Sequence, residues 1–429
     1  MFNTIRNAWR IPDLRKKILY TLLIIIVFRF GSVIPAPFLD ASALSELMAS
    51  AGENSALGYI NMLTGGAFSY ASLFAMGITP YINSSIIMQL LERMAKEGEE
   101  GRKKIATITR YVTVILGLIQ GVAYYFYLRS QGIVEYTDGF AGVFVAFVIV
   151  LTFTAGTALI MWMGEQINDK GVGNGISIIL FAGIVARLPV TFGTVWQYMQ
   201  LGMESASTAG QYLVLAPLFV VLFLVVIWVI VFMNEAERRI PVQYAKKVVG
   251  RKMYGGQSTF LPVKVAMSGV MPVIFASAIL SIPQFIQFFW NPSEGFGRAL
   301  LDAFSSSGWL YVVLYFFLIL MFAYFYMSIQ YNPLEMANNL RQNNGTIPGI
   351  RPGKPTADFI AKILSKVTLI GALFLAFVAL VPIIYTNVTG MYGLSMGGTS
   401  IIIIVGVALE TVKQLESQMM LRHYKGFLD

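Results

Sequence analysis

The chain has 429 residues, of which 56% are hydrophobic and only 12% are charged, and its formal net charge is +9. Soluble domains carry about 25% charged residues, so this composition indicates a protein that is mostly embedded in a membrane. The sequence contains no cysteine, which excludes disulfides and thiolate chemistry. It also lacks a hydrolase triad and a GxxxxGK[ST] nucleotide loop. The one histidine, His423, lies in the C-terminal tail, and we interpret it as a surface residue rather than a ligand.

Ten apolar runs are long enough to cross a bilayer, which takes about 20 residues. The first run follows Arg15, Lys16 and Lys17 and is too long for a cleavable signal, so we interpret it as a retained span. The predicted spans are 18–34, 68–91, 105–128, 140–163, 175–196, 211–233, 265–289, 308–330, 367–386 and 399–418.

Basic residues are concentrated on one side of this ten-span arrangement. All of the 31 Lys and Arg residues except Arg29, Arg129, Arg187 and Arg298 fall in the termini and alternate loops. Because such residues mark the cytoplasmic side, we expect both termini to be cytoplasmic. Arg29 lies near the outer end of the first span, where its long side chain can reach the interface.

Two of the cytoplasmic connections, 234–264 and 331–366, are long and rich in basic residues, glycine and proline. Long ordered loops frequently carry function. Attraction to anionic lipid is one explanation for their charge. A docking surface for an acidic or RNA-rich partner is the explanation that we favour.

One phrase occurs twice in the chain, as "GITPYINSSII" at 77–87 and as "GVMPVIFASAI" at 269–279. These segments fall in the second and seventh predicted spans. A duplicated unit of five spans enters the membrane from opposite sides and makes an inverted repeat, with a working site where its halves meet. Glycine, proline and serine are also common in membrane helices for packing reasons, so the pattern alone leaves both explanations open.

The span interiors contain almost no Asp or Glu. An inverted-repeat solute transporter would bury such residues as coupling sites, and a membrane-embedded enzyme would need paired aspartates or an HExxH motif. A pathway lined by Ile, Ser, Asn and Gly instead favours a channel that closes by excluding water.

Several long segments resemble the SecY family of bacterial protein-conducting channels. They include "LFAMGITPYINSSIIMQLL" at 73–91, "MWMGEQINDKGVGNGISIILFAGIV" at 161–185 and "NNGTIPGIRPGKPT" at 343–356, and the resemblance covers essentially the whole chain. It implies an all-α polytopic membrane protein with ten transmembrane helices. These would form two inverted five-helix halves, 1–196 and 197–429, in a clamshell around a central pore. Such a channel passes unfolded secretory polypeptides across the plasma membrane and releases hydrophobic segments laterally into lipid.

The resemblance also assigns roles to individual residues. A plug near 56–69 would rest against the pore ring, and a lateral gate would open between spans two and three of one half and spans seven and eight of the other. Leu180 stands where the ring of the family often has isoleucine. The expected ring is Ile78, Ile82, Ile176, Leu180, Ile274 and Ile403; the plug includes Tyr59, Ile60, Asn61, Met62, Leu63, Thr64, Gly65 and Gly66; and the gate candidates are Asn83, Ser85, Gln89, Gln120 and Ser277.

The partners implied by the resemblance are the SecE and SecG subunits, the SecA motor ATPase, the ribosome, signal sequences with their preproteins, and membrane lipid. The chain itself would be no enzyme, and we expect neither a cofactor nor a metal. The two basic loops would supply the docking residues Arg238, Arg239, Lys246, Lys247, Arg251, Lys252 and Arg351.

Overall fold

The computed structural model describes residues 2–51, 61, 64–89, 99–204, 210–244, 247–249, 252–254, 258–266, 269–289, 308–391 and 398–425. This part of the chain is mostly helical. Its helices are α1 (Phe2–Arg10), α2 (Pro12–Gly31), α3 (Ala41–Ala51), α4 (Thr79–Gln89), α5 (Glu99–Ser130), α6 (Gly139–Lys170), α7 (Gly175–Val185), α8 (Leu188–Glu204), α9 (Tyr212–Glu235), α10 (Met271–Phe289), α11 (Trp309–Gln330), α12 (Pro333–Gln342), α13 (Lys354–Thr389) and α14 (Gly398–Lys425).

Seven helical stretches of the described residues are long and apolar enough to cross a membrane. Many of their apolar side chains are exposed, such as Phe140, which is 88% exposed on α6, because lipid rather than protein would cover them. The seven stretches are Lys103–Ser130, Gly139–Lys170, Gly175–Glu204, Tyr212–Glu235, Trp309–Gln342, Lys354–Thr389 and Gly398–Met420.

The other three predicted spans correspond to α2, α4 and α10. Helix α2 has 20 residues but carries Arg15, Lys16, Lys17 and Arg29, which lower its mean hydropathy. Helix α10 has 19 residues with Pro283 inside it, and Met271–Leu280 is an apolar stretch within it.

Helix α4 begins later than the sequence predicts. The predicted span starts at 68, but residues 64–78 form a series of turns and the helix begins at Thr79. Gly77 has a left-handed φ of 56° and Ala71 a φ of 48°, and neither value continues a right-handed helix. Pro80 then lies in the first turn of α4, where its missing N–H costs nothing.

The basic loop 234–264 forms strands that the sequence analysis did not predict. Strand β1 (Glu237–Tyr244) pairs antiparallel with β4 (Ser258–Lys264). Strands β2 (Lys247–Val249) and β3 (Lys252–Tyr254) make a second antiparallel pair.

The second long loop adds β5 (Gly345–Thr346) to the other edge of β1, so that the strand order is β4-β1-β5. Apolar side chains from both loops pack with the first turns of α13 into one small core. Its buried members are Ile240, Val242, Val263, Ala337, Leu340, Ile347, Ala357, Ile360, Leu364 and Val367. The two basic loops therefore form a single body.

Local polar contacts of Asp40 mark the start of α3. Asp40 precedes α3, and its carboxylate accepts hydrogen bonds from the Ser42 hydroxyl and from the backbone N–H groups of Ser42 and Ala43. These contacts hold the pKa of Asp40 below its ordinary value, chiefly through the Ser42 hydroxyl. The carboxylate thus satisfies backbone donors at the start of α3.

Candidate functional site

The turn 171–174 before α7 fixes where that helix starts. The Asn174 side chain accepts a hydrogen bond from the Ser177 N–H at 3.3 Å and so caps the helix. The Gly175 N–H donates to Asn168 Oδ1 at 2.7 Å, and the Val172 N–H donates to Thr21 Oγ1 of α2 at 3.1 Å. These bonds tie the start of α7 to both α6 and α2.

Two glycines permit this arrangement. Gly175 lies directly against the backbone carbonyl of Gly164 on α6, and a Cβ on Gly175 would also lie 2.9 Å from the Ile167 Cβ. A Cβ on Gly164 would lie 2.6 Å from the Ile176 side chain. The close approach of the helices therefore sets the position of Ile176, one of the expected ring residues.

The six expected ring residues lie in one hydrophobic cluster, although they come from distant parts of the sequence. Four of them, Ile78, Ile82, Leu180 and Ile403, are buried, and Ile176 and Ile274 are partly buried against the same cluster. They lie on α4 and the residue before it, α7, α10 and α14. The cluster is thus built from both predicted halves of the chain.

Helical spacing explains how two of these segments each present two ring residues. The Ile82 N–H donates to the Ile78 carbonyl at 3.1 Å, so these residues are one turn apart on one face. Ile176 and Leu180 on α7 have the same spacing of four. Each of these pairs contributes two aliphatic side chains at successive levels.

A cavity of about 540 Å³ leads up to this cluster. Leu180, Ile274 and Ile403 line it together with other apolar residues such as Met271 and Leu409, and Lys264, Lys413 and Glu410 are among its polar residues. Along α14 the lining extends from Ile403 to Ser417, which at 1.5 Å per residue is about 20 Å. The cavity is therefore a vestibule of mixed lining, in which polar and charged side chains lie beside aliphatic ones. Its remaining polar lining includes Asn174, Ser177, Asn234, Gln330 and Gln414.

The described part of the expected plug is a compact turn. The Gly66 N–H donates to the Asn61 carbonyl at 2.8 Å, and the Ser69 N–H donates to Asn61 Oδ1 at 3.0 Å. Asn61 and Thr64 are both buried. Gly65 and Gly66 have φ of 67° and 89°, which glycine adopts readily. Tyr59, Ile60, Met62 and Leu63 lie outside the described residues.

The serines expected at the lateral gate bond to their own helices. The Ser85 hydroxyl donates to the Ile82 carbonyl at 2.7 Å, and the Ser277 hydroxyl donates to the Ile274 carbonyl at 2.8 Å. Asn83 and Gln120 are half-buried, and only the backbone of Gln89 is described. Helix α10 nevertheless packs against both α4 and α5, so the seam between the predicted halves is closed.

A contact that the sequence analysis missed lies one residue from Ser85. The hydroxyl of Ser84 on α4 is 2.7 Å from that of Thr113 on α5, and both side chains are fully buried. Small hydroxyl residues at helix contacts are a known feature of membrane proteins. The two adjacent serines, Ser84 and Ser85, suggested a polar contact between helices. The sequence did not indicate which of these serines faces α5.

The basic candidates differ in what surrounds them. Arg238 and Arg351 are exposed, whereas Arg239 is paired with Glu237 at 2.7 Å. Arg351 lies between Gly349 and Gly353, whose φ are 82° and 101°. The Arg351 carbonyl accepts a bond from the Thr356 hydroxyl at 2.8 Å.

The remaining basic candidates are only partly described. Lys247 and Lys252 lie on β2 and β3, with only their backbones described. Lys246 and Arg251 lie outside the described residues.

Groups of three or more His, Asp or Glu residues that could hold a metal ion do not occur among the residues that the structure describes. The site combines a vestibule of mixed polar and apolar lining, a cluster of aliphatic side chains and a segment of turns.

Several known proteins are similar to this chain in sequence over its whole length. A family model described as SecY matches residues 72–412. The chain is 42% identical over 446 residues to the protein translocase subunit SecY of Streptomyces griseus, and 43% identical over 439 residues to that of Bacillus subtilis strain 168. Each alignment covers 100% of both chains.

Solved structures share the fold at low sequence identity. A protein-conducting channel matches with a TM-score of 0.64 at 17% identity, covering 94% of this chain and 92% of that one. Sec61 in the canine ribosome-channel complex matches with a TM-score of 0.61 at 15% identity, again covering 94% and 92%. These likenesses confirm the predicted fold class.

Proposed function

The chain belongs to the SecY family, and from this premise we propose which of its residues form the channel and its docking surface. The chain is a multi-pass membrane protein that provides a protein-conducting channel. Unfolded secretory polypeptides pass through it, and hydrophobic segments leave it sideways into lipid. The proposals below concern residues, sidedness and partners.

We propose that Ile78, Ile82, Ile176, Leu180, Ile274 and Ile403 form the constriction of the pore. The observation that carries this proposal is their joint position in one cluster, with three of them lining the 540 Å³ vestibule. A passing chain presents every kind of side chain, so the constriction must bind none of them tightly. Aliphatic side chains fit around a polypeptide and exclude water without offering it a hydrogen bond.

The vestibule gives the backbone of the passing chain a hydrated environment. Each unsatisfied peptide group costs several kcal/mol in a hydrocarbon environment. The polar lining of the vestibule keeps that backbone hydrated up to a short dry ring. This arrangement accounts for the polar lining from Glu410 to Ser417, which covers about 10 Å of α14, and for the aliphatic Ile403 nearer the start of the helix.

The turn at 61–66 belongs to the proposed plug, and α4, α5, α10 and α11 form the proposed lateral gate. A related SecY structure was studied for a plug domain that stabilises the closed state and maintains a membrane seal; it matches with a TM-score of 0.63 at 17% identity, covering 94% of this chain and 92% of that one. The packing of α10 on α4 and α5 and the buried turn residues support a closed channel in this structure. The proposed halves are 1–196 and 197–429.

The body formed by the two basic loops is the proposed docking surface. Arg351 is exposed on a turn framed by two glycines, and Arg238 is exposed on β1. One of the solved structures is Sec61 in a canine ribosome-channel complex, and another is the yeast Ssh1 complex bound to the yeast 80S ribosome, which supports a ribosome as one partner. We further propose the SecA motor on this surface and the SecE and SecG subunits beside the helices, with energy supplied by the partners and no enzymatic activity in this chain.

The charge distribution supports a sidedness as well. All basic residues except Arg29, Arg129, Arg187 and Arg298 lie in the termini and on one set of loops, so we propose that both termini are cytoplasmic. The membrane is then the plasma membrane of a bacterium, and the vestibule, which includes Lys264 and Lys413, opens to the cytoplasm.

A cross-linking experiment tests the pore assignment. The chain has no cysteine, so Ile82→Cys introduces a single thiol at the proposed ring. A secretory chain with one cysteine is stalled in the channel, and disulfide formation is measured as that cysteine is moved along the stalled chain. A cross-link that depends on this position supports the ring and removes the solute-transporter alternative.

The matched control is Ile115→Cys on α5, since Ile115 is 58% exposed on the helix surface. It should give no cross-link with the same stalled chain. If both thiols fail while the stalled complex is present, or both react equally, the assignment of Ile82 to the pore is wrong.

A further inference from the structure

The segment 64–78, here called the hinge segment, runs from the last residues of the proposed plug to α4, and its middle is fastened to the connection that follows α2. The Leu73 N–H donates to the Ile34 carbonyl at 2.9 Å, and the Ala36 N–H donates to the Ala71 carbonyl at 2.8 Å. These backbone bonds hold the middle of the hinge segment. The end nearer the plug lies several residues away and is beyond their reach.

Aromatic packing strengthens the same junction. Phe74 of the hinge segment stacks on Phe28 of α2 with ring centroids 5.7 Å apart. Gly31 lies so close to the Phe74 ring that a Cβ there would overlap it. The C-terminal turn of α2 is therefore a rigid support for the hinge segment.

Arg29 extends this support to the plug end. It is half-buried on the last turn of α2, and its Nη1 donates to the Gly65 carbonyl at 3.2 Å. A guanidinium stays charged at every physiological pH, and hydrogen bonds with an ionised donor are stronger than neutral ones. The interaction thus accounts for an arginine at a position that the sequence analysis explained only by its nearness to the interface.

Gly65 is confined on its other side by α7. A Cβ on Gly65 would lie 2.6 Å from the Gly183 Cα, whereas a Cβ on Gly183 would lie 3.5 Å from the Gly65 Cα, an ordinary contact. Gly183 lies one turn beyond Leu180 of the proposed ring. Gly65 is therefore held between a charged donor on α2 and a backbone surface on the helix that carries the ring.

We propose that Arg29 is a positioning residue that holds the hinge segment at Gly65 and so keeps the plug against the ring in the resting channel. The proposal rests on the plug and ring assignments made above. Displacement of the plug breaks the bond from Arg29 to Gly65 and separates Gly65 from Gly183. The backbone bonds near 71–73 lie farther from the plug and stay in place, so the hinge segment bends rather than detaches.

The test uses the channel complex reconstituted into liposomes, with Arg29→Met and Arg29→Lys compared with the parent. Arg29→Met removes the donor while keeping an unbranched side chain, and Arg29→Lys retains a charged donor. Resting ion leak should rise several-fold in Arg29→Met and return most of the way to the parental level in Arg29→Lys. Arg129→Met is the matched control, since Arg129 also donates to a backbone carbonyl at 3.2 Å, that of Thr137, away from the plug. Its leak should equal that of the parent.

A second readout reports the position of the hinge segment directly. In the cysteine-free background, Gly183→Cys places a single thiol against the hinge segment, because a Cβ on Gly183 would lie 3.5 Å from the Gly65 Cα. We expect slow reaction of this thiol with a soluble thiol reagent in the resting channel, clearly faster reaction when Arg29→Met is added, and a return to the slow rate with Arg29→Lys. Parental leak and a parental labelling rate in Arg29→Met would overturn the proposal.

The Ile82→Cys cross-link to a stalled chain, measured in the same preparations, separates this failure from failure of the pore assignment. If Ile82→Cys still reacts while Arg29→Met has no effect, only the role of Arg29 is wrong. If Arg29→Met does not fold, a pair of glycine variants replaces it. Gly65→Ala and Gly66→Ala share the strain of a positive φ, but no atom of the described residues lies within 4 Å of a Cβ on Gly66. Gly65→Ala should leak more, and equal leaks would overturn the proposal.

Discussion

The hydroxyl oxygens of Ser84 on α4 and Thr113 on α5 lie 2.7 Å apart in a fully buried contact. Ser84 also lies 2.8 Å from the Tyr81 carbonyl, and Thr113 lies 2.7 Å from the Thr109 carbonyl. Two hydroxyl protons serve these three contacts. One hydroxyl therefore donates across the helices while the other donates to its own helix, and α4 and α5 are joined in either arrangement.

We expect a measurable coupling energy between these two side chains. Double-mutant cycles with Ser84→Ala and Thr113→Val should give a coupling of about 0.5–1 kcal/mol in the free energy of unfolding, typical of interhelical hydrogen bonds in membranes. The measurement is denaturation in mixed micelles. Strict additivity of the two single changes would show that the hydroxyl contact contributes nothing.

The same contact predicts how the lateral gate moves. If α4 and α5 lie on one side of the seam, a disulfide between Ser84→Cys and Thr113→Cys joins helices that move together. Transport of a secretory protein should then proceed at close to the parental rate under oxidising conditions. A block that is relieved by reductant would mean that α4 and α5 separate during transport.

The proposed constriction predicts that a polar substitution raises ion leak and lowers signal stringency. Ile82 is 7% exposed within the ring cluster, and Ile82→Asn places an amide among aliphatic side chains. The ring should then admit water, raising the resting ion leak and allowing defective signal sequences to initiate transport. Ile82→Leu, which keeps the apolar volume, is the control and should be close to the parent in both assays. An unchanged leak and unchanged signal stringency in Ile82→Asn would contradict the pore assignment.

The exposed arginine of the docking surface gives a third prediction. Arg351→Glu should lower motor-driven or ribosome-driven transport at least several-fold and weaken binding of the motor, since it replaces attraction by repulsion. Arg341→Glu changes the net charge equally at another exposed position of the same loop and should have a much smaller effect. Binding to vesicles at several salt concentrations measures both variants. Equal loss in the two would indicate a general charge effect rather than a site at Arg351.

The turn before α7 gives a fourth prediction, on stability. Gly175→Ala would force the Gly164 carbonyl and Ile167 away from α7, so we expect the free energy of unfolding to fall by about 1–3 kcal/mol, as for overpacking in a core. Gly193→Ala on α8 meets no atom within 4 Å and should be neutral or stabilising by about 0.5–1 kcal/mol. Thermal unfolding in detergent tests the pair. A Gly175→Ala protein as stable as the parent would mean that this close approach is not needed.

Arg29 illustrates which features near the plug the sequence could predict and which it could not. Its place near the end of α2 was predicted, and the inference drawn from it was a side chain directed to the interface. In the structure it donates to Gly65. The partner lies 36 residues away in a segment of turns, and no local pattern specifies which backbone carbonyl a long side chain will meet.

The late start of α4 has a similar cause. Hydropathy alone places the beginning of that span at 68, since the segment is apolar. The structure uses it as turns because Ala71 and Gly77 have positive φ and because Leu73 bonds to the Ile34 carbonyl of the preceding connection. Apolar residues are buried both in helices and in turns that pack between helices, so hydropathy alone does not distinguish the two.

The sequence by itself determined the membrane class, the polytopic helical fold and the concentration of positive charge on one set of loops. The bilayer imposes these features locally, because every spanning segment must be apolar and must satisfy its own backbone. The tertiary structure decided that Ser84 rather than Ser85 contacts α5, that β5 joins the two basic loops, and that six aliphatic residues from distant segments lie in one hydrophobic cluster, three of them lining the vestibule. These are relations between segments, and they depend on how helices pack in three dimensions rather than on the composition of any one of them.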